Sequence, residues 1–321
     1  MGLSDNKSTV TILVSGASGI VGYGTVRSLK KCGFKVIGTT IYDVSPADCF
    51  CDMVLKAPLT SDEGYIRWLT GIIREYDVDM IIPGIEADMK SWNENREEIN
   101  KTGVCILLNN SKLIENCLDK WSFYCTLKDN GFENRIETSI DADVKRFAIP
   151  FILKPRCGFG SKGLIKVLSR DDFENNKDRI GDELMMQEYV GTDDEEYTVS
   201  GFFDENSSLC AIIAMKRKLA KGGYTDYAQT VDSDQFRGLL IELAKIFNPV
   251  GPTNFQFRHD EKGYRLLEIN PRISSSTSIK TKFGYNEAEM AVKYFIYKES
   301  IVQPEIIKGT AIRYTEDYIL R

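Results

Sequence analysis

The chain has 321 residues, 42% of them apolar and 27% charged, with a formal net charge of −6. That length suits two or three packed domains; no apolar run is long enough to cross a bilayer, and the acidic balance offers no general basic surface, so the expected partners are small molecules or proteins rather than nucleic acid or membrane. Eight cysteines are scattered, Cys49-Phe50-Cys51 has no second pair at metal-ligand spacing, and Met1-Gly2-Leu3-Ser4-Asp5-Asn6 lacks a signal-peptide core, so reduced, largely buried thiols and a cytoplasmic location are expected.

Residues 9–15 form a β-rich apolar run leading into Gly16-Ala17-Ser18-Gly19-Ile20-Val21-Gly22 and a helix-like segment to Lys31: strand, glycine turn, helix. A second strand over 35–38 is followed by Asp43, strand-like runs occupy 78–82 and 104–108, and helix-like segments cover 62–76 and 87–101. The alternation predicts a doubly wound parallel sheet, whose ligands sit beyond the carboxyl ends of its strands. The glycine turn has two readings, a cradle for an anionic substrate at a helix N-terminus or close packing of the helix on the sheet. Nicotinamide-dependent short-chain oxidoreductases begin with similar words and need a Tyr-xxx-Lys pair. Tyr124 with Lys128 and Tyr294 with Lys298 have that spacing, but neither follows an obvious catalytic serine strand. Gly84, Glu86 and Asp88 read either as a loop holding an ammonium or hydroxyl group, or as a helix start favoured by acidic residues.

Helix-like segments run through 112–131, and residues 149–155 form a strand bearing Lys154 that ends in Arg156-Cys157-Gly158-Phe159-Gly160-Ser161-Lys162-Gly163. Backbone N–H groups approach phosphate oxygens closely only where side chains do not block them, so this stretch reads as an anion cradle in preference to a plain hairpin. Gln187-Glu188-Tyr189-Val190, a break, and a strand from Glu196-Tyr197-Thr198-Val199 would leave backbone donors and acceptors free for an adenine edge, with Glu196 on the ribose; the other reading of 193–196 is a solvated acidic turn. Arg217, in a strand leading to a basic loop, is the candidate for the carboxylate or transferring phosphoryl group because its planar fork matches either bidentately, with protection of an edge strand as the alternative.

His259, the only histidine, sits beside Asp260-Glu261-Lys262-Gly263, a hairpin turn, and is read as solvent-facing, so catalysis must manage largely without imidazole. In Asn254-Phe255-Gln256-Phe257-Arg258 the alternation places Gln256 and Arg258 on one face and the aromatics on the other. After the turn, Leu266, Glu268 and Asn270 are expected on one face, with Leu267 and Ile269 opposite. Glu and Asn oxygens suit a hard cation such as Mg²⁺; Pro271 ends the ladder and Arg272 projects from the turn.

These words, in this order from Asp119-Lys120 through Ile152-Leu153-Lys154-Pro155, Gln187 to Val190, Glu196 to Val199 and Gln256 to Glu268-Ile269-Asn270-Pro271-Arg272, resemble the ATP-grasp superfamily, and most of all the synthetase halves of the carbamoyl-phosphate synthase large subunit and related carboxylate-amine ligases. The resemblance implies a mixed α/β and α+β chain: a doubly wound pre-ATP-grasp domain over 1–110, a small lobe with the glycine loop over 111–183, and a large C-terminal lobe with antiparallel sheet and metal site over 184–321. It implies that Lys120 and Lys154 bind ATP phosphates under a loop of Gly158, Gly160, Ser161 and Gly163, that Glu188 and Val190 meet adenine through backbone atoms, and that Glu196 binds ribose. Gln256, Glu268 and Asn270 match metal ligands, for two Mg²⁺ ions or Mn²⁺ in their place, and Arg272 matches the arginine that stabilises the phosphorylated intermediate.

A carboxylate is a poor electrophile, so coupling it to an amine requires an acyl phosphate made from ATP, a transfer that depends on alignment and charge neutralisation more than on a strong base. The sequence holds one synthetase half and no amidotransferase segment. A stand-alone ligase joining a small carboxylate to an amine, amino acid or ammonia is therefore expected in place of carbamoyl phosphate synthesis, with a homodimer compatible. A catalytically idle nucleotide-binding subunit is the alternative of a different class.

Overall fold

A computed structural model describes residues 10–158, 163–192, 194–220 and 222–319. The chain divides into two units: the described residues of Met1–Leu108, Arg272–Glu305 and Thr315–Arg321 form one, and those of Asn109–Pro271 and Ile306–Tyr314 the other.

In the first unit the apolar runs become parallel strands β1 (Thr11–Val14), β2 (Lys35–Thr40), β3 (Met53–Lys56), β4 (Met80–Ile82) and β5 (Cys105–Ile106), in the order β3-β2-β1-β4-β5. Leu13, Ile37 and Ile81 pack with Leu69, Ile73, Trp92 and Ile99 of the connecting helices. Burying each such side chain contributes roughly 1.5–3 kcal/mol. Strand β3 has no counterpart among the expected elements: it is a four-residue edge strand with no fully buried residue, too short and too wet to give an apolar pattern. The helix expected over 87–101 is two, Glu86–Glu94 and Arg96–Asn100. They part at Asn95, whose side chain donates to the Ser91 carbonyl (2.8 Å).

The glycine turn is explained by close packing. Gly16 has φ +53°, Gly19 N–H donates to Gly16 O at 2.8 Å, and a Cβ on Gly22 would lie 2.3 Å from that same oxygen. Two helices from the C-terminal part, Thr277–Lys282 and Glu287–Phe295, belong to this unit and pack on helix Ile20–Lys30, where Ser28 Oγ and Thr281 Oγ1 are 2.8 Å apart. The contiguous division drawn from sequence is thereby replaced by one in which the chain returns to its first unit after Pro271.

The second unit holds two sheets. A four-stranded one contains β6 (Thr138–Ser139), β7 (Phe151–Pro155), β8 (Ile165–Val167) and β9 (Leu184–Glu188), ordered β6-β9-β7-β8 and antiparallel throughout. A six-stranded antiparallel sheet contains β10 (Glu196–Phe203), β11 (Leu209–Leu219), β12 (Thr225–Val231), β13 (Gly251–Asp260), β14 (Gly263–Asn270) and β15 (Thr310–Ile312), ordered β14-β13-β10-β11-β12-β15. One face of this sheet carries Val199, Phe255, Phe257 and Ile269 against Phe236, Leu240 and Leu243 of helix Asp234–Phe247, with Leu113, Phe123 and Leu127 from two further helices. Mixed architecture, parallel first and antiparallel second, is as the sequence led one to expect.

All eight cysteines are free, but none is fully buried and Cys32 and Cys157 are exposed, which corrects the expectation of buried thiols. Among the described residues no helix is long and apolar enough to cross a membrane.

Candidate active site

The face of the six-stranded sheet opposite its core is polar, because each strand alternates. Phe255 and Phe257 go to the core, so Asn254, Gln256 and Arg258 face the other way. Pairing sets Glu268 directly across from Gln256 and Asn270 across from Asn254, bringing both β14 side chains to the same face. Leu266 does not join them, contrary to simple alternation: it is 2% exposed in the core with Ile269. The cause is a bulge. Gln256 pairs with Glu268 while Phe257 pairs with Leu266, so Leu267 is an extra residue and the alternation changes phase there.

Asn270 Nδ2 donates to Glu268 Oε1 at 3.1 Å, and the Gln256 amide makes no hydrogen bond among the described residues. Among those residues no group of three His, Cys, Asp or Glu side chains is placed to hold a metal ion. One carboxylate and two amide oxygens form a hard donor set with little negative charge of its own. That fits a Mg²⁺ ion, which keeps few protein ligands and completes its shell with water and phosphate; Mn²⁺ accepts the same oxygens.

Lys154 lies on β7. Phe151 and Leu153 point into the core of the smaller sheet with Leu184 and Met186, so Lys154 takes the opposite face. It is 8% exposed and makes no hydrogen bond or ion pair among the described residues. Burial pushes its pKa down from 10.5 to about 8, with the nearby Glu268 carboxylate acting to raise it and the Lys120 ammonium to lower it. The larger sheet's carboxylate thus acts on the smaller sheet's lysine, although they are 114 positions apart in the chain.

Lys120 begins a helix (Lys120–Asp129) whose N-cap is Asp119, and its Nζ donates to Gly158 O at 2.5 Å. Arg156 braces this contact: its guanidinium meets Asp119 at 2.7 Å and its carbonyl accepts from Lys120 N–H at 2.9 Å. Sequence reasoning placed Arg156 in the stretch read as an anion cradle, whereas the structure uses it to tie the loop's root to the helix start. Gly158 and Gly163 have φ of +116° and +77°, as a glycine loop requires; Gly160 and Ser161 lie outside the described residues.

The break between β9 and β10 is where it was expected. Glu188 N–H donates to Glu137 O (2.9 Å), while Val190, 4% exposed, donates its N–H to no partner among the described residues. Glu196 is no solvated turn residue: it is 6% exposed, Arg217 Nε and Nη2 reach its Oε1 at 3.0 and 2.7 Å, and Arg258 Nη2 reaches its Oε2 at 3.5 Å. Arg217 lies on an interior strand, so edge protection does not explain it, and its fork is closed on Glu196 with Nη1 on Thr225 (3.4 Å). Arg258 is the member of this cluster to which sequence reasoning gave no role, although it was placed on the Gln256 face.

His259 is half-buried, edge-on to Tyr264 with ring centroids 4.8 Å apart, so it is less exposed than expected. Tyr124 OH donates to Glu137 (2.8 Å), and Lys298, with φ +58°, lies beyond the helix that holds Tyr294. Arg272 belongs to the first unit, with its Nη1 donating to Ile273 O (3.0 Å).

Two family models match the chain: residues 181–318 match "ATP-grasp in the biosynthetic pathway with Ter operon" and residues 12–107 match "PylC-like, N-terminal domain". The carbamoyl phosphate synthase large chain of Methanosarcina barkeri is 26% identical over 304 residues, covering 84% of this chain and 27% of that protein. That of Methanothermobacter thermautotrophicus is 24% identical, covering 92% and 30%. The chain thus spans about a quarter of the length of the curated relatives it matches. Among solved structures, N5-carboxyaminoimidazole synthetase from Staphylococcus aureus, seen also complexed with ADP, superposes with a TM-score of 0.74 at 17% identity, over 94% of this chain and 82% of that one. L-amino acid ligase from Bacillus licheniformis gives 0.67 at 15%, over 90% and 74%.

Proposed function

We propose that this chain, an ATP-grasp domain behind a PylC-like N-terminal domain, is an ADP-forming ligase that activates a small carboxylate as an acyl phosphate and couples it to an amine, amino acid or ammonia. The observation that carries the reading is Lys154: a buried cation whose side chain has no hydrogen-bonded or ion-paired partner among the described residues, beside a carboxylate that faces Gln256 across two strands. A buried charge is unfavourable unless something compensates it, and a triphosphate does so.

In the first step a carboxylate oxygen of the substrate forms a bond to the γ-phosphorus of ATP as the bond to the ADP oxygen breaks. In the second, the amine nitrogen attacks the acyl carbon, inorganic phosphate leaves, and the nitrogen loses a proton. Lys154 and Lys120 hold phosphate oxygens and offset their charge; Gln256, Glu268 and Asn270 would hold Mg²⁺, which supplies further neutralisation when bound. The free N–H of Val190 and the Glu188 strand end receive the base, and Glu196, braced by Arg217, receives the ribose. Arg272 is assigned to the phosphorylated intermediate by its place in the motif alone.

The test is ADP release with Mg·ATP over a panel of carboxylates paired with amines, amino acids and ammonium. A carboxylate-dependent and amine-dependent release that disappears in Glu268→Ala, with the fold retained by circular dichroism, is the expected result. No release with any pair, alongside tight ATP binding, would favour an idle nucleotide-binding subunit.

A further inference from the structure

The break between β9 and β10 is held in place by a side chain to which the proposed reaction assigns no part. Arg258, on β13, reaches it through contacts with Val190, Glu196 and Tyr189. Its Nη1 donates to Val190 O (3.4 Å), its Nη2 reaches Glu196 Oε2 (3.5 Å), and its guanidinium lies over the Tyr189 ring at 5.8 Å from the centroid. The neighbouring residue strengthens the attachment: His259 N–H donates to Glu195 O (3.1 Å), and Gly191, at φ +62°, packs so closely that a Cβ there would lie 2.4 Å from His259 O. Strand pairing explains why Arg258 is the residue in position. It sits directly across from Glu196 in the β10–β13 ladder, one alternation step from Gln256 on the same face.

We propose that Arg258 is a positioning residue for the nucleotide, fixing the distance between the base-facing strand break at Val190 and the ribose-facing carboxylate of Glu196. The inference rests on the nucleotide reading given above. A guanidinium suits the task because its planar fork reaches a carbonyl and a carboxylate at once, whereas an ammonium on a flexible stem satisfies one at a time. Arg217 holds the other oxygen of the same carboxylate, so Glu196 is fixed from both sides, and Arg258 couples it to the break.

The test compares two probes that share the phosphates but not the nucleoside. Calorimetric binding of Mg·ADP and of magnesium tripolyphosphate is measured on the whole chain and on Arg258→Met and Arg258→Lys, with thermal midpoints for each. Arg258→Met is expected to weaken ADP binding at least tenfold while tripolyphosphate binding stays within twofold of the parent, and Arg258→Lys to recover part of the ADP loss. Unchanged ADP binding in Arg258→Met overturns the assignment, as does an equal loss of both probes, which would mark a general disturbance of the fold. Parent protein that binds neither probe defeats the nucleotide reading itself, a result distinguishable from either of these.

Discussion

Two rows of charged side chains on the second unit behave in opposite ways. Along β11, β10 and β13, Arg217, Glu196 and Arg258 are paired: one carboxylate, 6% exposed, takes both guanidinium groups. Around Lys154, Glu268 and Gln256 the charges stay apart, and the lysine, equally buried, has no hydrogen-bonded partner among the described residues. A paired buried charge holds geometry; an unpaired one waits for a ligand. The difference therefore separates residues that shape the nucleotide site from residues that meet its charge.

The sharpest way to break this comparison is Lys154→Met. ATP turnover should fall by about 100-fold or more, the scale for losing one preorganised electrostatic contact. The thermal midpoint should hold or rise, because an uncompensated buried charge is gone. Scanning calorimetry with an ADP-release assay measures both, and a variant that loses stability along with activity would place Lys154 with the paired row.

Glu196→Gln should do the reverse in kind. Leaving two guanidinium groups without their carboxylate should cost about 3–5 kcal/mol in urea unfolding. The pair Glu196→Gln with Arg217→Met should cost less than the sum of the single changes, since the residues are in contact. Strict additivity would show that the row is not a coupled unit.

The pH profile is the next, smaller effect. With its pKa lowered to about 8, free Lys154 loses its charge as pH rises through that value. The kcat/KM for ATP should then decline by about tenfold per pH unit above it. In Glu268→Gln the pH dependence of Mg-free ADP binding should shift to lower pH, because the carboxylate acts to raise the lysine's pKa. Stability has its own sign. The folded pKa lies below the ordinary 10.5, so between about 8 and 10.5 the unfolded chain binds more protons at this site. Lys154 thus makes the fold relatively more stable as pH rises through that window, and Lys154→Met should remove this part of the pH dependence.

At the bottom of the scale, the exposed pair Lys218 and Asp194, 2.6 Å apart with side chains 62% and 68% exposed, should be replaceable by Gln and Asn with no measurable change in midpoint or turnover. A clear loss of activity there would mean that the basic loop after β11 meets substrate.

Sequence by itself determined what is local or chemical: the parallel-then-antiparallel order of elements, the glycine turn, the β13–β14 hairpin with its Asp260 to Gly263 turn, and the choice of Lys154, Gln256, Glu268 and Asn270 as the groups of interest. Residue type and period 2 carry that information without any partner strand. Tertiary structure alone decided which charges are occupied and which are open. The bulge at Leu267 appears only once β14 is laid against β13, and it returns Leu266 to the core without disturbing Glu268 and Asn270. Glu196 meets Arg217 and Arg258 only because β10 lies between β11 and β13, and the helices Thr277–Lys282 and Glu287–Phe295 join the first unit only by packing on Ile20–Lys30. Strand register and helix docking are set by contacts between residues tens to hundreds of positions apart, and a linear pattern of polar and apolar residues does not encode which of two buried charges will find the other.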